Sequence, residues 1–463
     1  MFGHLLPKMK GDCYMEGTLT AGFLQHLSQL YSGRLLLRQE YDLTPIIFKQ
    51  LLQERYLRET PGIIYKFGFP QCQRCLNIQS KYFGRLPDRS IYCRKCIQMG
   101  RVSEKEPLFE WISDVPAMTN VEQPCQWEGE LTLLQEKASL AIAETIRKNE
   151  QLLIEAVCGA GKTEMLYAGI DFAIREGKRV CIATPRSDVV RELAPRLRRD
   201  FPRIKAAALY GGSTEKDQQA HLVIATTHQL LRYKNSFDVV IIDEVDAFPF
   251  HHDKMLPKAV GRAVKDNHAK IYLTATPRLD MKLASLTRKI PTVSIPQRFH
   301  GHPLPVPQFK QIFRLNKHLD EQSLHPKIKE WMKARGDRRY LLFASTVAMA
   351  KKLSDELGDV PYVHSESPNR KGLIQKFRNK EMQALITTTI LERGVTFPSI
   401  DVAVIQADHK VFDEAALVQI AGRAGRSAND PTGDVTFFFE AKTHAIVQAR
   451  KYTLNKNREA GLM

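Results

Sequence analysis

The chain has 463 residues, 43% of them apolar, with 68 Lys and Arg against 51 Asp and Glu, a formal charge of +17 and a pI near 9.4. That length exceeds one ordinary hydrophobic core and predicts two or three domains, and the composition excludes a disordered or fibrous chain. The charge surplus favours a polyanionic partner without separating DNA, RNA and an anionic membrane, and the absence of any run of about 18 apolar residues predicts no membrane-spanning helix.

The opening MFGHLLPKMKGDCYMEG lacks the long apolar stretch of a secretory signal. Residues 1–60 mix short apolar runs with charges; 35–37 read as a strand and 46–52 as a helix, and no chemistry attaches to either. Residues 61–119 are expected to be a small metal-held module and a linker. Cys72, Cys75, Cys93 and Cys96 form CQRC and CRKC with 17 residues between them. Two CxxC knuckles offer four thiolates, which suits tetrahedral Zn2+ in a structural role, with an iron–sulfur cluster as the alternative. The other cysteines (Cys13, Cys125, Cys158, Cys181) are scattered, which fits a reducing compartment better than a disulfide framework. Residues 61–100 carry seven Lys and Arg against one acid, Asp88, which favours DNA contact or guiding. Tyr82, Phe83 and Tyr92 there are read as core filling rather than as base-stacking rings.

From residue 120 the pattern alternates. Helices are expected over 131–149, 161–177 and 187–201, and strands at QLLIEAV, RVCIAT, AAALYG, HLVIATT, DVVIIDE and KIYLTAT. Apolar strands alternating with amphipathic helices predict a mostly parallel sheet covered on both faces, placed at 120–290. The Pro-rich PTVSIPQRFHGHPLPVPQFK reads as an extended linker, after which YLLFAS, YVH, ALITTTI, VAVIQA and DVTFFFE mark a second α/β unit within 291–463. The fold class is therefore α/β, two tandem RecA-like domains behind a four-cysteine module.

AVCGAGKT (156–163) follows a strand and opens onto a helical segment, the setting of a phosphate-cradling P-loop, although Ala156 stands where the strict pattern has Gly. Lys162 is placed to reach the β- and γ-phosphates and Thr163 to ligate Mg2+. DEVD (243–246) follows DVVII; Asp243 is placed for Mg2+ and Glu244 for orienting and deprotonating water. Gln135, 27 residues before Lys162, is a candidate for reading an adenine edge. QIAGRAGR puts Arg423 and Arg426 three apart, on one side of a helical turn, as candidate arginine fingers. The catalytic candidates are thus Lys162, Asp243, Glu244, Arg423 and Arg426. The candidates for holding ATP are Gln135, Gly159, Ala160, Gly161, Lys162, Thr163, Glu164, Asp243 and Gly394. Thr274 and Thr276 are small polar groups able to couple the carboxylates to a cleft. His251 and His252 have no second ligand pair nearby and read as surface or core residues.

AVCGAGKT, ATPRSDVVREL, DEVD, TAT, LERGVTF and QIAGRAGR resemble, in order, the successive motifs of superfamily 2 helicases and translocases over about 130–430. The resemblance implies that Asp243 and Glu244 handle Mg2+ and water, that Arg423 and Arg426 act as fingers and that TAT couples hydrolysis to movement. It also implies that ATPR, YGGS, ATTHQ and the 387–397 loop line a single-strand track. With the cysteine module ahead of WEGELTLLQ (127–135), nearly the whole chain resembles the late-competence DNA-uptake ATPases of naturally transformable Gram-positive bacteria. That family is similar to the primosomal replication-restart helicase, whose large N-terminal DNA-binding region has little room here. The resemblance implies a cytoplasmic ATPase, peripheral to the membrane, that pulls one DNA strand inward. It implies as partners a phosphoribosyltransferase-like competence protein and a strand-handling protein. A replication-restart or repair helicase, an RNA helicase and a DNA-binding scaffold with a dead pocket are the alternatives; the intact set of five catalytic candidates argues against the scaffold.

Overall fold

The structure, a computed structural model, describes residues 19–462 except 114, 115, 251, 316, 317, 319–322 and 396. The opening segment with Cys13, and His251, lie outside the described residues.

Seven parallel strands form the first large sheet, in the spatial order Ala206–Leu209, Leu222–Thr226, Val180–Thr184, Phe237–Ile242, Val264–Thr274, Gln151–Ala156, Thr292–Ile295. Its central strands are buried along their whole length, as strands covered by helices on both faces must be. The helix Leu133–Lys148 starts at a reciprocal cap: Thr132 Oγ1 accepts from Gln135 N while Gln135 Oε1 accepts from Thr132 N. It stops where Asn149 turns left-handed. Every motif of the first half sits at the carboxyl edge of this sheet, where open α/β sheets bind ligands.

A second, six-stranded parallel sheet runs Gln308–Gln311, Val435–Phe439, Ile400–Ile405, Arg339–Phe343, Ala384–Thr387, Tyr362–Val363. The chain is α/β with two RecA-like units.

Two expectations shift. The segment 161–177 is not one helix: a single 3-10 turn, Glu164–Leu166, precedes a regular helix that begins at Tyr167. Gly161 at φ 70° keeps the preceding loop out of helical geometry. The Pro-rich stretch is not only a linker. Thr292–Ile295 fits between Pro291 and Pro296 as an edge strand on Gln151–Ala156, a place where flanking prolines cost no ladder bond.

The residues around the cysteine module form one unit. Leu35–Leu37, Leu108–Trp111 and Leu57–Thr60 make an antiparallel sheet, so chain entering and leaving the module is paired. Tyr31, Tyr41, Phe48, Phe109 and Trp111 pack its core with the helices Ala21–Tyr31 and Pro45–Gln53. It is anchored to the first large unit by Arg34 Nη2 donating to Tyr233 Oη at 3.2 Å and by Glu40 bridging Arg74 and Arg232. The last helix, His444–Glu459, reaches back across the first unit: Tyr452 donates to the Ala275 carbonyl inside TAT, and Lys456 pairs with Glu155 at 2.8 Å. Among the described residues no helix is long and apolar enough to cross a membrane.

Candidate nucleotide cleft and metal centre

Both sheets present their loops to a cleft of about 480 Å3. Gln135, Gly159, Ala160, Gly161, Lys162, Thr163, Glu164 and Glu244 line it from the first unit, and Gly394, Arg423 and Arg426 from the second. Asp243 sits behind this lining, its N–H donating to the Ala183 carbonyl at 2.8 Å.

The loop between Ala156 and Glu164 is shaped by glycine. Gly159 and Gly161 have φ of 83° and 70°, and a Cβ on Gly161 would come within 2.3 Å of Gln135 Nε2. That amide donates to the Ala160 carbonyl at 2.9 Å, so Gln135 braces the loop from below while it lines the cleft. Glu164 is held by Arg196.

The acidic string divides its work. Glu244 adopts φ 54°, a conformation rare for a bulky side chain and one that concentrates at functional sites. Burial, then the neighbouring Glu244 carboxylate, raises the Asp243 pKa to about 6, with Lys162 opposing. Asp246 is the partner of TAT: Thr274 Oγ1 and Thr276 Oγ1 donate to its two oxygens at 2.6 and 2.8 Å.

Arg393, in LERG, was not singled out by sequence. Its Nη2 donates to Asp246 Oδ2 at 2.5 Å and its Nη1 lies 3.8 Å from Glu244 Oε2. Burial opposes its charge, but Asp246 and Glu244 outweigh that and hold it protonated. Arg423 is buried too, and burial followed by repulsion from Arg426 lowers its pKa to about 9. Its Nε donates to the Glu392 carbonyl at 3.0 Å, while Nη1 has no hydrogen-bond partner among the described residues. A buried guanidinium with a spare donor is arranged for an anion.

Arg298 and Phe299, from the Pro-rich stretch, were also missed. Phe299 N donates to the Gly159 carbonyl at 2.9 Å, and Arg298 donates to the carbonyls of Gly425 and Ala424 at 2.5 and 2.9 Å. One dipeptide therefore ties the phosphate loop to the loop carrying Arg423 and Arg426. Cys158 Sγ adds a donation to Gln419 Oε1 at 3.0 Å, and a Cβ on Gly422 would lie 2.4 Å from Cys158 Cβ. Gly394, at φ 74°, packs against Val189 and lines the cleft.

The four candidate metal ligands converge. Cys72, Cys75, Cys93 and Cys96 are buried with their sulfurs all within 4.8 Å of one another. Cys72 to Cys96 is 3.7 Å and Cys75 to Cys93 is 3.4 Å. A tetrahedron with metal–sulfur bonds of about 2.3 Å has edges of about 3.8 Å, so the donor set fits one four-coordinate ion. Neighbouring thiols, Cys75 first, hold the Cys72 thiol well below its ordinary pKa. Arg262 donates to the Gln73 carbonyl at 3.0 Å and Lys258 to the Leu76 carbonyl at 3.2 Å, clamping the first knuckle to the helix Met255–Ala263. Phe83 packs into the adjoining core, as expected.

Residues 20–110 match the family described as "Competence protein ComFA N-terminal domain", 128–279 match "Type III restriction enzyme, res subunit", and 323–428 match "Helicase conserved C-terminal domain". The chain is 41% identical to Competence protein ComFA of Bacillus subtilis, over 95% of its own length and 97% of that protein's. It is 38% identical to Competence protein ComFA of Streptococcus pneumoniae, over 93% and 99%. In fold it is similar to S. cerevisiae Dbp5 bound to RNA and ADP BeF3, at TM-score 0.50 and 16% identity, over 72% of this chain and 92% of that one.

Proposed function

The chain belongs to the ComFA family of competence proteins, and from that premise we propose that it is an ATP-driven translocase of single-stranded DNA that draws one incoming strand inward during natural transformation. The observation that carries this is the composite cleft, in which Lys162 and Glu244 from one unit face Arg393, Arg423 and Arg426 from the other. A cleft of that size suits a nucleotide, and closing it requires both units, so nucleotide turnover and their relative movement are coupled.

In this reading Gly159, Ala160 and Gly161 turn backbone N–H groups to the phosphates, Lys162 neutralises the β- and γ-oxygens, and Gln135 meets the adenine. Thr163 and Asp243 hold Mg2+, which offsets phosphate charge when bound. Glu244 orients the attacking water and takes its proton. Arg423 and Arg426 stabilise charge on the transferring phosphoryl group. Arg393 is a positioning residue: it fixes Asp246 and, through it, Thr274 and Thr276. Zn2+ is the ion proposed for the four cysteines, in a structural role.

The family premise extends the reading to a cytoplasmic site of action with peripheral contact to an uptake channel, and to a phosphoribosyltransferase-like competence protein and a strand-handling protein as partners. Turnover of ATP with single-stranded DNA, duplex DNA and RNA in parallel, followed by strand displacement, tests it. Strong stimulation by single-stranded DNA is expected. Equal or better stimulation by RNA overturns the DNA assignment in favour of an RNA helicase, and efficient strand displacement favours a restart or repair helicase.

A further inference from the structure

The cysteine module carries a β-hairpin, Ile63–Lys66 paired with Phe69–Cys72, whose side chains break the usual rule for small modules. Phe67 at its tip is 100% exposed, Phe69 63% and Tyr65 55%. Three rings in five residues face solvent, while Tyr82, Phe83 and Tyr92 of the same module are partly covered.

The tip is a two-residue loop, because Lys66 pairs with Phe69 and leaves Phe67 and Gly68 between them. Their φ values are 51° and 80°. Two positive φ values are the signature of a type I′ turn, whose first position strongly favours Asn or Gly. A phenylalanine there is a genuine outlier, since a bulky residue pays for that conformation sterically. Neither folding nor packing explains it: the ring touches no core, and Asn would turn more easily. A large apolar ring held in an unfavourable conformation, fully in water, points to a ligand that covers it.

The surroundings select the ligand. Lys66 and Phe69 are directly opposed across the ladder and therefore lie on one face, a cation beside a ring. Lys66, Lys81, Arg85, Arg89 and Arg94 are all exposed, against Asp88 as the one acid in 61–100 and Glu104 just beyond, which accepts from Tyr65 Oη at 2.7 Å on the face away from Phe69. Rings among cations match a single nucleic-acid strand, which offers a π-face and a phosphate at each step. The module also adjoins the segment expected to line the track: Arg232 Nη1 donates to Gln229 Oε1 of ATTHQ at 2.5 Å and lies 3.8 Å from Met99 Sδ of the module.

We infer that the hairpin tip, Phe67 with Phe69, is a base-stacking platform for single-stranded DNA, contacting the strand outside the motor cleft. It rests on the proposed reading of the protein as a single-strand translocase.

The test uses the full-length, metal-loaded protein and two oligonucleotides of equal length, one of thymidine and one of abasic sugars, so that phosphate number is constant. Phe67→Asn is expected to weaken binding of the thymidine strand by about fivefold or more, to leave the abasic strand unchanged, and to melt no lower than the wild type. Phe67→Trp is expected to keep the preference and to gain fluorescence quenching by the thymidine strand. A wild-type preference that Phe67→Asn leaves intact overturns the inference, as does a wild type that binds both strands equally. If Phe67→Asn instead loses sedimentation with phosphatidylglycerol vesicles and keeps its base preference, the tip is a membrane contact and the inference fails. A wild type that binds neither strand, with ATP turnover unaffected by single-stranded DNA, overturns the translocase reading on which it rests.

Discussion

The ATP cleft and the cysteine module solve opposite problems. The module draws its four sulfurs from 25 consecutive residues and closes them around one point, with flanking carbonyls taken up by Arg262 and Lys258. The cleft gathers side chains from Gln135 to Arg426, and leaves Glu244 Oε2, Arg393 Nη1 and Arg423 Nη1 buried without hydrogen-bond partners among the described residues. A site complete without a mobile guest is a staple. A site whose spare buried guanidinium and carboxylate groups line an open cleft is held ready for a guest that comes and goes. The two should therefore fail differently when cut.

The sharpest contrast is between Arg423→Ala and Cys72→Ser. Burial already lowers the Arg423 pKa to about 9, so its charge is held at a cost, and relief of that cost should offset the cavity and the lost bond to the Glu392 carbonyl, leaving the melting temperature little changed. ATP turnover should fall by about a thousandfold or more, the scale of an arginine finger, with Lys162→Ala falling by about a hundredfold or more. Turnover that survives either change undoes the cleft assignment. Cys72→Ser should do the reverse. Metal analysis should show loss of the ion, hydrogen exchange should show residues 61–100 opening, and ATP turnover without DNA should stay near wild type. Parallel loss of metal and basal turnover would mean that the two regions are one cooperative unit.

A smaller effect probes what joins the two sides of the cleft. Arg298→Gln removes both donations to the loop that carries Arg423 and Arg426. Misplacing a catalytic group by about 1 Å costs up to about a hundredfold; a loop still tethered by Cys158 and Gln419 should cost about tenfold, within that bound. The loss should appear in kcat with KM for ATP nearly unchanged, because the phosphate loop keeps its own shape. Arg298→Lys should not rescue, since a single ammonium cannot reproduce the two-pronged donation. A change confined to KM would place Arg298 in nucleotide binding instead.

Arg298 also shows where sequence stops being legible. The parallel sheets could be read because their strands are continuous apolar runs, and the phosphate loop because its glycines, lysine and threonine are contiguous. The convergence of the four cysteines follows from two short knuckles. Arg298 stands in a Pro-rich stretch, where nothing local says that the backbone returns beneath Gly159. Arg393 stands inside LERGVTF, yet its partner Asp246 is 147 residues away and ordinary composition does not pair them. The sheet of Leu35–Leu37 with Leu108–Trp111 closes over a shorter separation that is still far beyond any local pattern, with the whole cysteine module inserted between its strands. Phe67 is illegible for the opposite reason: a lone Phe-Gly pair carries no periodic signal, and only the backbone angles mark it.

The smallest effect concerns the seam between the two regions. His228 follows the strand Leu222–Thr226, and burial, with Asp253 opposing, lowers its pKa. A histidine depressed in the folded state is held neutral, so the unfolded chain binds more protons between the two pKa values and stability rises with pH there. The contribution is present above the ordinary histidine range and is lost as pH falls through the depressed folded value. Asp253, the group that opposes the depression, is at the same time paired with Lys95 of the module at 2.6 Å. Lys95→Ala should free that carboxylate to act on the imidazole, raise the His228 pKa toward its ordinary value and flatten the fall in melting temperature on the acid side of neutrality. His228→Gln should flatten it as well, and the double variant should add nothing further. Independent, additive slopes would show that the module and the motor do not communicate through Asp253.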